Sequence, residues 1–517
     1  MGRDHRRRRD PPPTVRFDRG LETQLIPEAP LVFADGRRDF DPKRGLIAHG
    51  PFGLNQPGRH PATIDVGVVG TAATIDSTLA WLERCRSHIP SETGVPFPGI
   101  ADALRTQWAT RARWRFEVPV LDFESLLSLE PRTRFQRAVS MFANAVRFLA
   151  ELDPPPRLVF CALPAQIIQF CRVIGADAAD GPRLTRSDKR VISQAKRDEL
   201  VGQTSFLRSF FPDVFDHAGE LVFRNFRRAL KATTMSLRVP IQIIQARTWD
   251  DRAGGQSPDI RAWNFCVAAY YKAGGLPWSV DSLEPGTCYI GIDFFKRVTA
   301  ASTALHASLA QVFDERGEGH VLRGGEFRWI STPEHRTPHL PYAEAKALVS
   351  AAISQYSAHT DVAPVRVVLH KESSFLEEEA CGFRDALHER GVRFHDFLSI
   401  RQGGVRLFRE GKYPPVRGTF FRLGQRDTHL YTTGYVSHVG AYDAGYIPSP
   451  LRFSEHEGDG SPERLAREVM ALTRLDWNTA NFATAKPVTL NFADRVGEIL
   501  TEVTPDQVPE PAYRFYM

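Results

Sequence analysis

The sequence predicts an α/β protein built as two successive units, the first around a parallel sheet and the second opening with three strands before it alternates helix and strand. Strand-like apolar runs alternate with amphipathic, helix-like segments from about Gly45 onward. Just past Trp278 that rhythm gives way to three strands in succession. The chain's 517 residues suffice for two to four domains with sizeable cores.

Residues 1–20 open the chain with MGRDHRRRRDPPP, and across this stretch seven Arg outweigh three Asp. No apolar stretch follows, so it is not a secretory signal, and its composition predicts a disordered basic tail. The tail supplies most of the chain's net charge of +5, leaving the body nearly neutral.

The first unit, 21–277, includes an N-terminal extension. TIDVGVVG (63–70) reads as a buried strand, and TAATIDSTLAWLERC (71–85) as the helix after it. Gly67-x-x-Gly70 fits a tight strand–helix turn better than a phosphate loop. RLVFCALP (157–164) is a second strand followed by helical AQIIQFCRVI. VPIQIIQART (239–248) is a third, followed by the helix DIRAWNFCVAAYYKAGG, closed by Gly274-Gly275. Strands alternating with helices argue for a parallel sheet.

The second unit, 278–517, begins with strands at 287–295, 308–317 and 320–331. A helix (342–359), a strand (364–371), a helix (374–391) and a strand (392–400) follow. Three strands, helix, strand, helix, strand is the order of an RNase H-like domain.

Nothing in the chain approaches the ~20 apolar residues that span a bilayer. Six scattered cysteines without a C-x-x-C pair fit reduced, buried thiols. Both features point to a cytoplasmic protein with no membrane partner.

A second basic feature is internal. Between Leu184 and Trp249, twelve Lys or Arg stand against six Asp or Glu. Phosphate binding needs such local concentration, although a solvated helical face shows it too. In FRNFRRALKATTMSLRVPIQII, Arg227 and Lys231 are four apart and share one face of a helix. Gln242 follows on the next strand and Lys272 near the end of the next helix, with Arg228 and Gln245 as alternatives for the same roles. On spacing alone these residues describe either an anion pocket or an ordinary basic surface.

Several strings, taken in order, resemble the short prokaryotic Argonautes: KAGGLPW (272–278), CYIGIDFF (288–295), SLAQVFDERGEGHVLRGG (308–325), VRGTFFRL (416–423), LYTTGYV (430–436), IPSPL (447–451), LTRLDWNTANF (472–482) and the terminal YRFYM. The resemblance runs from about Gly45 to Met517. It implies a Rossmann-like MID domain followed by an RNase H-like PIWI domain, without the N and PAZ domains of long Argonautes. It also implies that Arg227, Lys231, Gln242 and Lys272 hold the 5′ phosphate of a guide strand. By the same resemblance, Gln242 and the C-terminal carboxylate of Met517 hold a Mg²⁺ together with the guide phosphates.

Active members of that family carry an Asp on the first RNase H strand, a Glu on a mobile loop, an Asp after the fourth strand, and an Asp, His or Asn on the last helix. Asp293 takes the first place, although in TCYIGIDFFKR it also reads as a strand terminus. His370-Lys371-Glu372 puts a Glu where an Asp belongs, Asp494 stands near the fourth place, and Glu326 is the nearest loop candidate. Glu is one methylene longer than Asp, a displacement that metal catalysis does not tolerate. Asp293, Glu372 and Asp494 are therefore expected to be vestigial, with no catalytic residue.

The function expected from the resemblance is a guide-RNA-binding subunit in prokaryotic immunity. It would recognise complementary single-stranded DNA and activate a separate APAZ-domain effector with a TIR, sirtuin-like or nuclease domain, leading to abortive infection. Two other readings remain. One is a metal-dependent guided endonuclease, which needs Asp293, Glu372 and Asp494 to converge, with Glu326 or another acid entering. The other is a purely structural subunit whose basic window serves a protein interface.

Overall fold

The computed structural model describes residues 21–174, 224–298, 303–327, 338–503 and 509–517, apart from residues 254, 315, 410, 412, 425–426 and 441–446. The basic tail 1–20 and residues 175–223, which include the basic window from 184 to 223, lie outside the described residues.

In the first unit four parallel strands lie in the order Gln107–Glu117, Thr63–Gly70, Leu158–Ala162 and Ile241–Ile244. Along Leu158–Ala162 the side chains alternate. Leu158, Phe160 and Ala162 enter one core, while Val159 and Cys161 enter the other. Helices Ala72–Arg84 and Pro258–Lys272 cover the first face, and Pro131–Ala150 and Phe226–Thr234 cover the second. With both faces covered, the strand is apolar at every position, which is why it reads as an unbroken run. The edge strand Gln107–Glu117 and the helix Pro131–Ala150 were not anticipated. The third anticipated strand is shorter than its sequence suggests, ending at Ile244 before the helix Ala246–Trp249.

Gly70 makes the tight turn that its position suggested. A Cβ there would lie 2.3 Å from Thr74 Oγ1. Thr71 caps the following helix, its hydroxyl accepting from the Thr74 N–H at 3.3 Å. At the other end of the unit, Gly274 and Gly275 close the helix Pro258–Lys272. Their N–H groups donate to the carbonyls of Tyr271 and Tyr270 at 2.9 Å each, with Gly274 at φ +97°.

The second unit has the RNase H-like arrangement. Thr287–Val298, Thr303–Phe313 and Gly319–Leu322 form an antiparallel meander. After the helix Tyr342–Thr360, the strand Arg366–Lys371 pairs parallel with the first strand of the meander. After the helix Glu377–Glu389, Phe394–Gln402 pairs parallel with Arg366–Lys371. Cys288, Ile290 and Ile292 pack toward those two helices, and Tyr289 faces the opposite core. Gly291 is where the first strand meets the last helix, Val488–Leu500: a Cβ there would fall 1.9 Å from the Thr489 carbonyl oxygen.

Residues 21–40, the N-terminal extension of the first unit, pack on the second. Thr23–Leu25 extends the ten-stranded sheet beside Thr419–Leu423, and Leu31–Val32 pairs with Ser279–Val280. Glu28 anchors this segment, its buried carboxylate taking Arg417 at 2.7 Å and Arg474 at 2.8 Å. The main core is continuous across both units, holding Phe160 and Tyr270 from the first and Tyr289, Phe492 and Tyr516 from the second. The six cysteines are free thiols, five of them buried.

Glu28→Gln leaves two buried guanidinium groups around a neutral amide. The expected loss is about 3–5 kcal/mol of stability, read as a lower urea midpoint for the transition that reports the second sheet. An unchanged midpoint would show that the ion triad does not hold the N-terminal segment.

Candidate nucleic-acid interface

A cavity of about 920 Å³ opens beyond the carboxyl ends of Leu158–Ala162 and Ile241–Ile244, the edge at which open α/β sheets hold ligands. Its wall includes the helix Phe226–Thr234, the end of Pro258–Lys272, part of Val488–Leu500, and the chain terminus Tyr516–Met517.

Asn225 starts the helix Phe226–Thr234, its Oδ1 accepting from the Arg227 N–H at 3.0 Å. Arg227 and Lys231 follow one turn apart and both line the cavity. Arg227 is walled in by protein, yet its guanidinium keeps access to solvent through the cavity. Lys231 is 2% exposed, and its ammonium donates to the Tyr516 carbonyl at 3.1 Å. The Lys272 ammonium donates to Gln242 Oε1 at 3.4 Å. Arg227, Lys231, Gln242, Lys272 and Met517, separate in sequence, thus form one wall.

The electrostatics of this wall are unbalanced. Among the described residues neither lysine has a carboxylate partner. Burial pushes the Lys231 ammonium well below its ordinary pKa, and the positive charges of Lys272, Arg227 and Arg495 push it further. Lys272 falls to about 7, through burial first and then Arg227. Such a cluster is poised for a multivalent anion, which would return to the cations what burial removes. Arg228, one of the alternatives, is engaged instead with Glu498 at 2.5 Å, while Gln245 also lines the cavity.

Sequence reasoning missed Arg495 and Arg172, which face the same cavity. Arg495 sits next to Asp494, yet no spacing rule links it to a helix more than 260 residues earlier.

Gln242, whose Oε1 accepts from Lys272, and Met517 both line the cavity, and amide and carboxylate oxygens are hard donors of the kind that suit Mg²⁺. The surrounding cations repel a bare divalent ion, so the donor set fits Mg²⁺ only in company with phosphates.

A second place lies in the other sheet. Ile292 is in register with Lys371, so Asp293 and Glu372 come next along the chain, where the parallel pairing of their two strands ends. Asp293 is half-buried at a bulge, and its strand continues to Val298, so it is not a strand terminus. Glu372 is exposed and ion-paired with Lys486. Lys371 turns into the core onto Glu379 at 2.5 Å, and His370 Nδ1 lies 2.8 Å from Thr489 Oγ1. Asp494 belongs to the last helix and Glu326 to the short strand Glu326–Phe327, but both side chains fall outside the described ones. Among the described side chains, the metal-ligand types that gather within 4.8 Å are elsewhere, at Asp314, Glu318 and His359. There Glu318 is already ion-paired with Arg59 and lies 3.0 Å from His359 Nε2.

No family model matches this chain, and no curated protein sequence does. Solved structures do match. Clostridium butyricum Argonaute bound to a guide DNA and a 19-mer target DNA aligns with a TM-score of 0.60 at 13% identity, over 96% of this chain and 55% of that one. The fold is Argonaute-like. Drosophila Piwi aligns with a TM-score of 0.58 at 15% identity, over 96% of this chain and 56% of its own. A. aeolicus Argonaute gives 0.54 at 13%, with the same coverage of 96% and 56%. The Argonaute-like chain therefore spans about half the length of the structures it matches.

The cavity's charge imbalance has a measurable consequence. Folded Lys272 titrates near 7, whereas an unfolded lysine titrates at about 10.4. Between those values the unfolded chain binds the extra proton, so the residue's contribution to stability rises with pH, by up to about 1.4 kcal/mol per unit. Lys272→Met removes the dependence. The difference in Tm between variant and wild type is expected to be largest at pH 7 and to shrink toward pH 10. Parallel Tm curves would show that Lys272 carries no depressed pKa.

Proposed function

We propose that the chain binds a guide nucleic acid by its 5′ phosphate and offers its bases to a complementary strand. One observation carries this reading: Arg227, Lys231 and Lys272 converge, with no carboxylate partner for either lysine among the described residues, on a cavity also lined by Tyr516 and Met517. A terminal phosphate, with two negative charges and several acceptor oxygens, matches that donor set better than an internal phosphodiester does. The Argonaute-like fold supports the reading, as does the neighbouring structure that holds a guide DNA and a target DNA. Gln242 and the Met517 carboxylate would hold Mg²⁺ alongside the phosphates, where the ion would offset their charge.

The finer reading rests on the resemblance of the sequence strings. The guide is RNA, the target is single-stranded DNA, and base pairing supplies the sequence specificity while the protein reads backbone and shape. A separate APAZ-domain effector with TIR, sirtuin-like or nuclease activity responds to target pairing, in prokaryotic defence against plasmids and phages. Pairing proceeds without cleavage, because the Lys486 ammonium neutralises the Glu372 carboxylate that a metal would need.

A 5′-phosphorylated oligonucleotide is expected to bind at least about 100-fold more tightly than its 5′-hydroxyl counterpart, from two or more charge-assisted contacts. Arg227→Ala with Lys231→Met should abolish the preference in a fluorescence anisotropy titration. Equal affinity of wild type for both oligonucleotides would sink the guide reading.

Guide-loaded protein supplied with Mg²⁺ or Mn²⁺ is expected to leave a labelled complementary strand intact. Cleavage that disappears in Asp293→Asn would replace the binding-only reading with the endonuclease one.

A further inference from the structure

Phe394–Gln402 runs parallel to Arg366–Lys371 and Thr287–Val298, so it leaves the sheet at the same edge as Asp293 and Glu372. Arg401, at its end, donates from Nε to the Glu372 carbonyl at 2.7 Å. The described residues after it, 403–409 and 413–415, form the two arms of a pinned hairpin. The Leu407 N–H donates to the Tyr431 hydroxyl at 2.6 Å, and Arg406 Nε to Ser449 Oγ at 3.0 Å. Arg409 and Tyr413 exchange both backbone hydrogen bonds at 2.8 Å. Arg409 Nε also donates to the Pro414 carbonyl at 2.8 Å, with its guanidinium 5.0 Å from the Tyr435 ring.

This braced hairpin holds two large aromatic side chains out in water, Phe408 and Tyr413, each 66% exposed. Around them the sequence is basic: residues 401–412 contain four Lys or Arg and one Glu. Exposed rings interleaved with cations suit a strand that carries phosphates outside and flat bases within. They suit an aliphatic protein surface less well, because only Val405 adds an exposed aliphatic side chain to the hairpin.

We propose that the 403–415 hairpin is a stacking platform for unpaired nucleotides of a strand passing the carboxyl edge of the second sheet. Phe408 and Tyr413 take bases on their faces, and the arginines beside them take the backbone. Stacking reads no sequence, so the platform holds any single strand. The inference rests on the nucleic-acid reading of the chain but not on its phosphate cavity.

The test uses the full chain and a labelled 5′-hydroxyl oligothymidylate, which lacks the phosphate the cavity would grip. Phe408→Ala with Tyr413→Ala is expected to weaken its binding at least about tenfold. Phe408→Trp with Tyr413→Trp should keep it, and Arg227→Ala with Lys231→Met should change it little. The alanine pair should retain the preference for a 5′ phosphate, which shows that it is folded. Equal binding by wild type and the alanine pair would overturn the platform, as would no binding by wild type. Loss in the cavity variant alone would also overturn it. If instead the aromatic dependence is found and the 5′-phosphate preference is not, the guide reading fails and the platform stands.

Discussion

The chain's last residues hold the site together. Tyr513, Phe515, Tyr516 and Met517 are buried in the core that runs through both units, and the Pro511 carbonyl accepts from the Val321 N–H of the second sheet at 2.7 Å. That packing carries the Tyr516 carbonyl to the Lys231 ammonium, on a helix of the first unit. Burying three aromatic side chains is worth several kcal/mol, enough to hold a lysine in a position that burial alone would refuse. Neither unit has the cavity by itself: one supplies Arg227, Lys231 and Lys272, the other Arg495 and the terminus.

The same packing makes the unliganded state costly. Two lysines lose hydration there, face each other and Arg227, and gain only neutral acceptors. A core designed for stability alone would fill these positions with apolar side chains. The cost fits a site whose side chains are held in place before the ligand arrives, so that binding needs little reorganisation, restores the charge that burial disfavours and returns stability through mass action.

The sequence made the fold more legible than the site. Continuous apolar runs such as 157–164 betray strands covered on both faces, and the order of elements after Trp278 carries the RNase H-like topology. The helical pair Arg227 and Lys231 was visible because side chains four apart must share a face. Arg495 was not, because its place depends on how the last helix crosses into the first unit. Glu28 was silent for the same reason: its partners, Arg417 and Arg474, are roughly four hundred residues away and meet it only after the sheet forms. The strand Gln107–Glu117 escaped notice because it is an edge strand with many exposed positions and an irregular register, so it lacks the apolar run that marked its neighbours.

The last helix, Val488–Leu500, ties the two places of interest into one rigid body. Near its start, Thr489 contacts His370 and lies against Gly291, and Lys486, just ahead of it, pairs with Glu372. Two turns on, Arg495, Glu498 and Ile499 line the cavity. Six residues of helix separate Thr489 from Arg495, about 9 Å along the axis. A helix packed on the second sheet and on the helix Phe226–Thr234 cannot stretch, so the distance from the cavity to the carboxyl edge of the second sheet is fixed by backbone geometry. Under the guide reading proposed above, a strand held at the cavity would leave it at a set distance from Asp293 and from the Glu372–Lys486 ion pair, with the helix as the spacer between them.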